Sequence, residues 1–131
     1  MTITSNLSAA SPFFGQITPR ISDQILVLDC NGRMTVGEDL AFWKNFLMQL
    51  LLTTNAVVLN LESVTYMDSS GLSILIGAYT SARQRGVTMK LAGINASIRD
   101  LFRITNLLTV FDLHDSVDKA IRDFPRSAAS A

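Results

Sequence analysis

The chain has one cysteine, Cys30, so no internal disulfide can form. No Cys-x-x-Cys or Cys/His spacing marks a metal site. It has one histidine, His114. An excess charge of either sign is also missing, with 11 basic residues against 11 acidic ones. Without a Lys/Arg run, the electrostatic footprint of a nucleic-acid binder is lacking. Arg99 and Arg103 fall on one helical face, and two arginines there read as a solvated face. No apolar run approaches the roughly 18 residues of a membrane span. The first ten residues hold no Lys, Arg or apolar block, so no secretory leader is expected. Gly-rich phosphate loops of the P-loop or dinucleotide type are lacking. These absences lead to the expectation of a soluble, cytoplasmic domain without a cofactor.

What is present is enough for one domain: 131 residues, 48% of them hydrophobic. Residues 1–12, rich in Ser, Thr and Ala, read as a flexible tail, and so do residues 126–131. The domain is expected over 13–125. Gly15 to Ile21 reads as an edge strand containing Pro19. Cys30 ends the apolar run Ile25-Leu26-Val27-Leu28, a buried strand, and reads as a small buried thiol. Asn31-Gly32 is a turn signal, leading either into a hairpin or into a first helix. Leu40, Trp43, Leu47, Leu50 and Leu51 predict that helix over 37–53. Ala56 to Leu61 is the most apolar strand. Leu72, Leu75, Ile76 and Tyr79 predict a second helix, stopped by Gly86. Val87, Met89 and Leu91 alternate with polar residues as a strand. Ile98, Leu101 and Phe102 mark a third helix, with Asn106 as its cap. Val110 to Leu113 reads as a last strand. Val117, Ala120, Ile121 and Phe124 mark a fourth helix behind an N-cap at Ser116 or Asp115. Alternation of this kind predicts an α/β domain. It should have a mixed, mostly parallel sheet of about five strands and about four helices. The methionines Met34, Met48, Met67 and Met89, with Trp43 and Phe46, sit at core-like spacings.

The chemistry concentrates at Tyr66-Met67-Asp68-Ser69-Ser70-Gly71-Leu72, where a strand hands over to a helix at the carboxyl end of the sheet. Asp68, Ser69 and Ser70 are all good N-cap residues, and one helix start needs only one. At least one hydroxyl should therefore face solvent. A phosphate there would bring about −1.5 to −2 charge, which a helix N-terminus tolerates. No Lys or Arg occurs between Lys44 and Arg83. The local sequence thus favours a switch that repels a partner over one that reorders the protein. Arg33, Lys90 and Arg99 are the cations that folding could bring closer.

The stretch Val57 to Leu72, with Asp-Ser-Ser-Gly-Leu after an apolar strand, resembles the STAS-domain signature. It is most similar to the bacterial anti-sigma factor antagonists. Gly32 before the first helix, Arg85-Gly86 before the next strand, and Leu101-Phe102 through Leu107 to Phe111 extend the resemblance over about three quarters of the chain. The resemblance implies phosphorylation of Ser69 by an anti-sigma factor serine kinase and reversal by a PP2C-type phosphatase. The unmodified antagonist would bind the anti-sigma factor and free the sigma factor. Asp68 would orient the hydroxyl or touch the partner, beside Ser70 and Gly71. Where family members often carry Glu-Leu-Asp after the glycine, this chain has Gly32-Arg33-Met34-Thr35, so Arg33, Met34 and Thr35 would meet the partner. The oligomeric state stays open between monomer and weak dimer. The alternative is a STAS scaffold subunit of a signalling assembly or transport system.

Enzymatic use of Ser69 or Ser70 is disfavoured. A hydrolase elbow needs Gly two residues before the serine, where Met67 and Asp68 stand. His114 would have to act as the base.

Overall fold

The apolar runs beginning at Ile25 and Ala56 lie side by side as the centre of a sheet. The computed structural model describes residues 16–34 and 53–125. Its strands are β1 (Gln16–Ser22), β2 (Ile25–Met34), β3 (Ala56–Met67), β4 (Thr88–Ala92) and β5 (Leu113–His114). Three helices occur among the described residues: α1 (Ser69–Gln84), α2 (Ala96–Ile104) and α3 (Val117–Arg122). The helix expected over 37–53, with Trp43, Phe46 and Met48, lies outside the described residues, as do Thr35 and both expected tails.

The sheet order is β1-β2-β3-β4-β5. β1 runs antiparallel on the edge and every other pairing is parallel. Pro19 sits in that edge strand, where a missing N–H is tolerated. The β1–β2 hairpin turns through Asp23 and Gln24, both at positive φ, 53° and 67°. Two left-handed central residues suit the right-handed twist of a hairpin. The Asn31-Gly32 signal makes neither a hairpin nor a loop. Gly32, at φ 104°, stays inside β2 and pairs with Val64.

β3 is twice the expected length because two irregularities carry it past Leu61. Asp29 to Asn31 of β2 faces Asn60 to Ser63, and Gly32 to Arg33 faces Val64 to Tyr66. Each step adds one residue to β3. An extra residue turns a spacing of two into three, so Leu61, Val64 and Met67 all enter one core. Above Asn60, β3 has outgrown β4. There Asn95 Nδ2 donates to the Val64 carbonyl at 3.2 Å. The backbone of Gly93, at φ 77°, lies tight on Glu62.

The sheet has a core on each face. Leu28, Cys30, Met34, Leu59, Leu91 and Met89 point toward α1 and α2 and pack with Leu75, Ile98 and Phe102. Ile25, Val27, Val58 and Ala92 point the other way, beneath Ala120 and Ile121 of α3 and Phe124 beyond it. Full burial of one such side chain contributes about 1.5–3 kcal/mol. Along α1 the buried line is Gly71, Leu72, Ile74, Leu75, Ala78 and Ala82. The face is rotated from the one expected, since Ile76 is 40% exposed.

Helix ends follow local chemistry. After α1, Val87 N–H donates to the Ala82 carbonyl and Gly86 N–H to the Arg83 carbonyl, with Gly86 at φ 73°. After α2, Leu107 N–H donates to Phe102 and Asn106 N–H to Arg103, with Asn106 at φ 60°. Both are paired left-handed caps. The last strand is shorter and later than the sequence suggests. Phe111 is buried by its rings' contacts with Phe102 and Tyr79, both at 5.3 Å between centroids, and not by strand pairing.

Candidate functional site

β3 ends at Met67 and α1 begins at Ser69, which leaves Asp68 alone at the junction. Asp68 has extended backbone, φ −114°, ψ −170°. Its Oδ1 accepts from Ser70 N–H at 2.9 Å and Gly71 N–H at 3.3 Å. Its carbonyl accepts from Leu72 N–H at 3.0 Å. One aspartate therefore does all the capping, and its charge lies at the positive end of the helix dipole. Ser69 is the first helical residue and is exposed. No hydrogen bond engages its hydroxyl among the described residues. Ser70 is half-buried behind it.

Gly71 is buried for a different reason. A Cβ there would lie 2.2 Å from the Met34 carbonyl oxygen and 3.0 Å from Met67 Cγ. The absence of a side chain lets the first turn of α1 rest on the ends of β2 and β3. Met34 is itself buried and shapes the site from beneath. Arg33 is exposed on the opposite side of β2. Its guanidinium lies 4.5 Å from the centre of the Tyr66 ring, with which Arg33 is in register. The fold thus gathers Asp68, Ser69, Ser70, Gly71, Arg33 and Met34 at one end of the sheet, and Thr35 falls outside the described residues. Tyr66, 41% exposed, was not legible as a site residue. It lies in a strand whose alternation is broken by the extra residues.

Lys90 does not join this end. It is 5% exposed and in register with Val58, nine residues before Met67. Its Nζ lies 2.5 Å from Asp112 Oδ2 and 3.6 Å from Asp123 Oδ2, and 4.9 Å from the centre of the Phe124 ring. His114 Nε2 meets Asp112 Oδ1 at 2.9 Å. Oxygen and nitrogen donors of Asp112, His114 and Asp123 all fall within 4.8 Å of one another. A buried ammonium already pairs with both carboxylates, so the cluster acts as a clamp of α3 and β5 on β4 and suits a metal poorly. His114 is level with Ala92, hence with Asn60. Seven residues of strand separate that level from Met67, roughly 20 Å at about 3.3 Å each. His114 is therefore no base for Ser69. Cys30 is buried with its thiol on the Leu28 carbonyl at 3.7 Å. Burial foremost, then the Asp29 charge, push its pKa up to about 12, which makes it inert.

A short mixed sheet, a carboxylate-capped helix start and a free hydroxyl beside it form a recognisable set. The STAS domain model matches residues 16–120. The chain belongs to the STAS-domain family. An anti-sigma-B factor antagonist of Listeria monocytogenes is 38% identical over 55 residues, 42% of this chain and 48% of that protein. An anti-sigma F factor antagonist of Paenibacillus polymyxa is 28% identical over 67 residues, 51% of this chain and 57% of that protein. The chain thus matches about half the length of these curated relatives. A crystal structure of a Thermotoga maritima protein overlays with TM-score 0.73 at 21% identity, over 82% of this chain and 92% of that one. This STAS chain shares the fold with it. No helix among the described residues is long and apolar enough to cross a membrane.

Proposed function

We propose that this STAS domain is an anti-sigma factor antagonist whose affinity for a serine-kinase anti-sigma factor is set by phosphorylation of Ser69. The observation that carries the reading is the division of labour at the helix start. Asp68 takes both capping bonds, and the Ser69 hydroxyl is left exposed and unengaged among the described residues. The names of the curated relatives support the same role. A PP2C-type phosphatase would restore the free hydroxyl. The protein acts by binding and carries out no chemistry of its own.

A phosphate on Ser69 sits at the N-terminus of α1, where free N–H groups and the dipole favour negative charge. The fold therefore keeps its shape. The partner instead meets a dianion beside Asp68. Moving a binding equilibrium from 1:99 to 99:1 takes about 5.5 kcal/mol of differential affinity. An uncompensated charge buried in a contact supplies several kcal/mol, so one phosphate suffices.

Incubation with the purified serine-kinase anti-sigma factors of the same organism and ATP, read by intact-mass spectrometry, tests this. Wild type gains one phosphate and Ser69→Ala gains none. Labelling of Ser69→Ala on Ser70 would move the site by one residue. Absence of labelling by every such kinase would overturn the switch.

A further inference from the structure

The sheet face opposite α1 and α2 divides into two halves. α3 covers the apolar half, formed by Ile25, Val27, Ala56, Val58 and Ala92. The other half is polar. It carries Asp29 bonded to both Arg20 and Asn60, then Asn31 opposite Ser63, then Arg33 opposite Tyr66. The last pair differs from the others in two ways. Arg20 spends its charge on Asp29 at 2.6 Å, whereas no carboxylate pairs with Arg33 among the described residues. Tyr66 is a large aromatic ring left 41% exposed. The two belong together, since the guanidinium carbon lies 4.5 Å from the ring centre and no hydrogen bond engages its N–H groups among the described residues. They also belong to the switch end of the molecule. Arg33 precedes Met34, whose carbonyl supports the first turn of α1, and Tyr66 precedes Met67 and Asp68.

We infer that the Arg33–Tyr66 stack is a docking element on which the anti-sigma factor seats a carboxylate, with an apolar contact against the Tyr66 ring. This rests on the reading of Ser69 as a partner-facing switch, and it names the chemistry of the partner. Charge complementarity selects the occupant. Asp68 already accepts from two helix N–H groups, whereas the exposed Arg33 guanidinium beside it in the fold has no carboxylate partner among the described residues. A planar guanidinium over an aromatic ring can present two parallel donors, which match a carboxylate and match an ammonium or a neutral amide less well. The contact thus extends from α1 around the end of the sheet onto its polar face.

The test is biolayer interferometry of the full chain against the purified anti-sigma factor that labels Ser69, at two salt concentrations. Arg33→Ala is expected to weaken binding about 10-fold and Arg33→Glu about 100-fold, since like charges face each other in the second case. Arg33→Lys restores part of the loss, and Tyr66→Ala weakens binding with Arg33 intact. The salt dependence of the wild type flattens in Arg33→Ala. Far-UV circular dichroism of each variant separates a contact from a folding defect. Equal binding by wild type and Arg33→Glu overturns this inference alone. A wild type that binds no such factor overturns the parent reading and this one with it. If Arg33→Glu is rescued by an acid-to-Arg change on the anti-sigma factor, the carboxylate is identified.

Discussion

Gly71 and Met34 touch backbone to backbone, with the site of a missing Cβ 2.2 Å from the Met34 carbonyl oxygen. This contact sets how closely α1 approaches β2, and hence where Ser69 stands. Backbone cannot move aside as a flexible side chain can. Gly71→Ala should therefore destabilise the domain by about 1–3 kcal/mol, the usual penalty of overpacking, although alanine is the better helix former. Urea unfolding followed by circular dichroism measures it. A stabilised variant would show that the helix shifts freely and that the close approach is not needed.

Asp68 and Ser69 make opposite predictions although they are neighbours. Asp68→Ala removes both side-chain bonds to the first turn and should cost about 1 kcal/mol, with Asp68→Asn keeping most of it. Ser69→Asp changes an exposed residue at a helix start and should move stability by no more than about 0.5 kcal/mol. It should nevertheless weaken the anti-sigma factor complex. Thermal melts beside binding curves read both. A large loss of stability in Ser69→Asp would mean that the hydroxyl serves the fold.

The junction was legible because its signals are local. Asp-Ser-Ser-Gly after an apolar strand marks a capped helix and a close approach. The sequence could not say which of three caps is used, because that depends on how β3 enters. The geometry of β3 was hidden by its extra residues. Leu61, Val64 and Met67 recur every third residue, which matches no strand pattern until the partner β2 is known. For the same reason Asn31-Gly32 looks like a turn in the sequence, whereas Gly32 borders a register shift in the sheet. The true turn, Asp23-Gln24, has no glycine to announce it. Lys90, Asp112, His114 and Asp123 are spread over 34 positions, and only the pairing of β4 with β5 assembles them.

Cys30 predicts a pH dependence with a definite sign. Its thiol titrates at an ordinary 9.0 in the unfolded chain and near 12 in the folded one, chiefly through burial. Below pH 9 the thiol is protonated in both states, and its contribution is intact. As pH rises from 9 toward 12 the unfolded chain ionises while the folded one resists, so stability falls. The limiting slope is about 1.4 kcal/mol per pH unit. The advantage of wild type over Cys30→Ala in guanidinium unfolding should thus be constant from pH 7 to 8.5 and shrink by pH 10.5. At pH 8 a thiol reagent should label Cys30 only after denaturant is added. Rapid labelling of the native protein would contradict the burial.

Lys90 and Asp112 should tolerate mutation unequally. The ammonium side chain is 6% exposed and that of Asp112 45% exposed. Removing the buried member lets half-exposed carboxylates relax into water, and Lys90→Met keeps the apolar stem beneath Phe124. That change should lie within about 1 kcal/mol of wild type. Asp112→Ala leaves the buried ammonium with Asp123 at 3.6 Å and an aromatic face among the described residues. It should cost about 1–3 kcal/mol, the usual penalty of a charge deprived of its bond. Because Asp112 also holds His114, the same variant should speed amide hydrogen exchange in β5 and α3 ahead of β2 and β3. Urea titration of the two variants gives the order. Were Lys90→Met the more destabilising, the cluster would contribute net attraction beyond its desolvation, and β5 would depend on charge for its place at the sheet edge.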